Sequence, residues 1–111
     1  MRILHAGLDW HYGHRLEPDC LDRPGRSQIA GGETAMIRAA LEMAALGHDV
    51  HVVTWSFPGK HRGVRWHDNA DFWEVAVDGG PWDVIVVWGD PDVFAALSAS
   101  TSIDGTLRVC A

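Results

Sequence analysis

Side chains able to ligate metals, move protons or accept hydrogen bonds crowd the stretch containing Asp9, His11, His14 and Cys20. His11 and His14 with Cys20 beyond lack the paired spacings of a structural zinc site, so no metal is expected there. Two roles fit these residues: hydrogen bonding to a polar acceptor from a long loop, or plain loop structure. A second group is Gly31-Gly32-Glu33. Without Cβ atoms the backbone can approach a ligand closely, and the free N–H groups at a helix start favour phosphate or carboxylate. The same pair also serves as a structural turn. A third group, Asp90-Pro91-Asp92, has the spacing of carboxylates around a metal–nucleotide complex. Helix capping by Asp90, Pro91 at the first helical position and Asp92 in the first turn explain it without a ligand, although Asp90 would still border a crevice. His5 reads either as a core histidine or as a crevice-facing one. No G-x-S-x-G elbow or Ser-His-Asp arrangement occurs, and no residue is assigned a catalytic role.

These residues need elements to position them. Residues 2–6 form an apolar run ending at Gly7, which suits a buried parallel strand. A stretch without sustained period follows up to Gly32, and loops of that length are more often functional than idle. From Glu33 to Leu46, Ile37, Ala40, Leu41 and Ala44 make one apolar helical stripe, and Gly47 ends it. Val50–Trp55 reads as a second strand, Val64–Trp66 as a weak third, and Ser56–Gly63 between them as a loop. Ala70–Val77 reads as a short helix stopped by Gly79, Gly80 and Pro81. Val84–Trp88 is a central strand, Asp90 opens a helix to Ser98, and Leu107–Cys110 is a fifth strand. The pattern predicts an α/β, Rossmann-like open parallel sheet of about five strands in order 3-2-1-4-5 with flanking helices. Its crevice lies at the carboxyl ends of the strands, where the loop from Gly7 to Gly32 meets Gly89-Asp90-Pro91.

Composition narrows the function classes. The chain has 111 residues, 47% of them hydrophobic, enough for one core. A formal charge of −6 argues against nucleic acid and allows at most peripheral membrane association. The one basic cluster, Lys60, His61, Arg62 and Arg65, reads as a solvated loop or as a contact for an anionic substrate. No signal peptide or 18-residue apolar run is visible, and two distant cysteines do not make a disulfide scaffold, so a cytoplasmic location is expected. Trp55, Trp66, Trp82 and Trp88 read as packing residues.

The opening MRILH, the helix start Gly31-Gly32-Glu33-Thr34, and above all AALEMAALGHDVHVVT from Ala39 to Thr54 resemble the amino-terminal domain of GT-B glycosyltransferases of the retaining, family 4 type. The segment from Val86 through Trp88-Gly89-Asp90-Pro91 fits the later part of that half. The resemblance implies transfer of a sugar from a nucleotide-sugar donor to an acceptor, with retention and with neither a catalytic metal nor a separate cofactor. It implies that Gly31, Gly32 and Glu33 face the donor diphosphate, and that Asp9, His11, His14 and Asp90 are acceptor-facing candidates. Relatives carry a second, donor-binding Rossmann-like domain with a glutamate pair, which this sequence lacks. Residues 1–111 are therefore expected to be a single acceptor-side domain, incomplete at its carboxyl end and inactive alone, with an exposed carboxyl-terminal edge prone to self-association. The alternative is a non-catalytic Rossmann- or flavodoxin-like interaction module. A nucleotide-sugar epimerase or dehydrogenase fragment is disfavoured because no G-x-G-x-x-G follows the first strand.

Overall fold

The computed structural model describes residues 1–8, 15–22 and 31–111. Six strands, β1 (Arg2–Gly7), β2 (Asp49–Thr54), β3 (Gly59–His61), β4 (Val64–Asp68), β5 (Val84–Val87) and β6 (Leu107–Cys110), form one sheet in the order β3-β4-β2-β1-β5-β6. All neighbouring pairs are parallel except β3 with β4. The five parallel strands stand in the expected 3-2-1-4-5 order. The loop expected over Ser56–Gly63 is corrected by β3, an antiparallel edge strand. Arg62 and Gly63 both have positive φ, 51° and 82°. They form a two-residue connection whose twist suits a hairpin, folding β3 back on β4 with His61 opposite Val64.

Helix α1 (Gly31–Ala45) begins at the glycine pair itself, two residues earlier than the apolar stripe alone indicates. Met36, Ile37 and Ala40 bury against Ile3, Val50, Val52, Val64 and Trp66, one face of the sheet. The described part of the first long loop belongs to this core. Leu16 and Cys20 are buried in it, and Leu16 bridges to Ser56, donating to the Trp55 carbonyl at 3.0 Å and accepting from the Phe57 amide at 2.9 Å. Over residues 15–22 the stretch read as lacking sustained period thus serves the core, the plain structural role left open for Cys20. The basic cluster is not simply solvated either: His61 Nε2 and Arg62 contact the two oxygens of Asp22 at 2.6 and 2.9 Å, fastening that loop to the β3–β4 hairpin.

The opposite face packs Leu4, Ala6, Val53, Ile85 and Val87 against Phe72, Ala76, Trp82 and Leu97. Leu97 comes from helix α2 (Pro91–Ser98). Phe72 and Ala76 come from the segment expected as a short helix, which is a 3₁₀ turn over Asn69–Asp71 leading into a π-helical turn over Glu74–Asp78. The wider turn ends where the Gly79 amide donates to the carbonyls of Glu74 and Val75. Helices therefore cover both faces, but unevenly. Register aligns Ile3, Val84 and Leu107 in one row and His5, Val86 and Val109 in the next, on the α1 side. Leu107 is 61% and Val109 37% exposed, so no described element covers that side of β6. No helix among the described residues is long and apolar enough to cross a membrane.

Candidate functional site

The connection leaving β1 runs through α1 to β2 on one side, and the one leaving β5 runs through α2 to β6 on the other. Their divergence between β1 and β5 creates the crevice at which ligands bind in such sheets. Three residues separate the end of α1 from Asp49, so that helix end sits at the amino edge of β2. With 15 residues α1 spans about 22 Å, close to the roughly 20 Å of a six-residue strand. Its start therefore returns to the carboxyl edge, carrying Gly31, Gly32 and Glu33. Glu33 is buried, 9% exposed, in the first turn. The start of α2 reaches the same edge from the other face of the sheet.

Asp90 caps α2 by accepting from the Val93 amide at 3.1 Å, with Pro91 at the first helical position. One function of this carboxylate is thus structural. Asp90→Ala is expected to cost about 1 kcal/mol, read as a lower thermal midpoint of roughly 4–8 °C. No loss on substitution would show that the cap contributes nothing. Asp9, His11 and His14 lie outside the described residues. Cys20, grouped with them by sequence, is buried, and burial pushes its thiol up to about 11, so it rests as the neutral thiol at pH 7. Among the described residues no cluster of three metal-ligating side chains occurs.

Polar groups on the central strands are satisfied across the sheet. His5 is 1% exposed; its Nδ1 accepts from Trp88 Nε1 at 3.0 Å, and its Nε2 faces Met43 Sδ of α1 at 3.3 Å. Desolvation lowers its pKa to about 4, so the ring is neutral at pH 7 and the Trp88 bond fixes the Nε2–H tautomer. His5 therefore takes the core reading left open by sequence. Thr54 Oγ1 donates to the Gly7 carbonyl at 2.7 Å, and the Trp88 amide to that of Ala6 at 2.8 Å, holding the strand ends rigid. Among the described residues, this edge of the sheet offers a close-approach backbone at one helix start, which suits an anionic ligand.

Sequence reasoning missed a second concavity. A cavity of about 400 Å³ opens on the face opposite α1, lined by His51 and His67 on the sheet, Asp71, Glu74 and Asp78 on the 69–78 segment, and Trp82. The sequence signal was the period-2 placement of His51 and His67 on neighbouring strands, which becomes legible only once β2 and β4 are known to be adjacent. A scan against protein-family models and searches of curated proteins and of solved structures return no match to this chain.

Proposed function

We propose that this chain is the acceptor-side half of a retaining, GT-B type glycosyltransferase that moves a sugar from a nucleotide-sugar donor to an acceptor. One observation carries the reading: the block that resembles family 4 folds as helix, tight turn and strand, with its Gly31-Gly32 start at the carboxyl edge of a doubly wound sheet. In this reading Gly31 and Gly32 offer backbone N–H groups to the donor diphosphate beside Glu33, and Asp9, His11, His14 and Asp90 face the acceptor. Catalysis needs preorganised contacts from both walls of the cleft, so this half is inactive until a donor-binding half joins it. The uncovered apolar row of Val109 and Leu107 supports a neighbour on that side. The protein works in the cytoplasm, at most peripherally on a membrane.

The test reads the coding region after codon 111 and the adjacent genes for a second Rossmann-like half with two spaced glutamates. That half is then co-expressed with this chain and assayed for labelled-sugar transfer from a panel of nucleotide sugars. Transfer by the pair and none by this chain alone is the expected result. Absence of such a half, or a pair that transfers nothing, overturns the reading. The exposed row on β6 then favours the non-catalytic interaction module.

A further inference from the structure

His51 and His67 project from neighbouring strands on the face opposite α1, since Val53 aligns with His67 and His51 with Arg65. Their rings lie 6° from parallel with centroids 5.2 Å apart, and His51 Nδ1 meets His67 Nε2 at 2.9 Å. At its other nitrogen, His51 Nε2 is 3.1 Å from Asp49 Oδ1. The second Asp49 oxygen accepts from Arg2 Nε at 2.9 Å, and this bond holds the carboxyl below the usual carboxylate range.

Counting protons fixes the tautomers. Asp49 is ionised and only accepts, so His51 carries its proton on Nε2. A neutral His51 then offers the Nδ1 lone pair, and the bridging proton belongs to His67 Nε2. His67 Nδ1 is left as the open end of an Asp49–His51–His67 relay and makes no hydrogen bond to a described residue. One added proton enters there without breaking a bond. A second must go to His51 Nδ1, where it would face the His67 N–H at 2.9 Å and remove the only acceptor between the rings.

Charges around the pair decide where a doubly protonated His67 goes. Arg65 on β4 repels it from the floor, with Lys60 of β3 opposite Arg65, and a charged His51, itself flanked by Arg2 and Arg65, repels it too. Across the cavity, Asp71 attracts it, with Glu74 and Asp78 further along the same wall. We propose that the His51–His67 pair is a two-position, pH-sensitive switch. At neutral pH His67 is bound to the sheet floor and the cavity stands open; in acid His67 breaks from His51 and crosses to the Asp71 wall, dividing the cavity. Desolvation holds both imidazoles below the ordinary histidine range, so the neutral, open position is the resting one.

Imidazole ¹⁵N and ¹H NMR on the intact chain, followed from about pH 8 to about pH 4, tests this. The expected record shows both rings as Nε2–H tautomers at neutral pH. Two proton-uptake steps more than ~1 pH unit apart follow. At the second step, His67 ring contacts to His51 are replaced by contacts to Asp71 while the amides of β6, remote from the pair and from His5, keep their shifts. Asp71→Asn, a change at an exposed position, is expected to move the second step to lower pH. Independent titration of the two rings near 6.5, retention of the His51 contact in acid, loss of all native shifts together, or no response to Asp71→Asn overturns the proposal.

Discussion

Phe72→Ala is expected to remove about 3–5 kcal/mol of folding stability, a large share of the roughly 5–15 kcal/mol that holds a domain of this kind together. The ring is buried and belongs to the cluster with Leu4, Val53, Ile85 and Leu97. It is also the main apolar anchor of the segment that walls the cavity, and it meets Trp73 edge-on at 5.0 Å. The neighbouring Ala76 is too small to close the hole left behind. Urea unfolding should give a lower midpoint with an unchanged slope. A loss below about 1 kcal/mol would mean that the 69–78 segment does not dock through this side chain.

Acid should weaken the fold through His5, on the other face. Its native pKa, about 4, lies below the 6.5 of an unfolded histidine, so between these values the unfolded chain binds more protons than the native one. The contribution of the neutral ring is complete above about pH 6.5 and lost progressively as pH falls toward 4. The difference is worth about 3 kcal/mol. Protonation is costly because it strands a cation in the core and places a second N–H against the Trp88 donor. His51 and His67, also shifted downward, act in the same direction, so the His5 share is isolated by variant. His5→Asn keeps an acceptor for Trp88 and cannot titrate. Its unfolding free energy, lower at pH 7 because of the lost volume, should fall less than the wild type's between pH 7 and pH 4.5. Parallel declines would assign the acid sensitivity elsewhere.

Both effects depend on contacts that unite distant residues, which explains how much of the molecule could be read in advance. The end of α1, the tight turn and β2 were legible because stripe, glycine terminator and β-branched run all agree locally. The Asp90 cap was legible because its partner, the Val93 amide, is three residues away. The expected parallel order held because a right-handed crossover leaves few alternatives once strand, helix and strand are identified. The π-helical turn was not legible, since Phe72, Val75 and Ala76 satisfy the pattern of an ordinary helix equally well.

By itself, the sequence determined the α/β class, the parallel strand order, the placement of Gly31-Gly32-Glu33 at a helix start, and the resemblance on which the proposed sugar transfer rests. Tertiary structure alone decided that Lys60 lies on an edge strand, that Leu16 and Cys20 are core, and that His5 spends its lone pair on a tryptophan 83 residues away. It also decided that two histidines 16 residues apart meet nitrogen to nitrogen above a cavity. The reason is physical: propensity, capping and periodicity act within a few residues. Burial, pKa and hydrogen-bond partnership are set by whichever strands become neighbours, and that is a property of the assembled sheet.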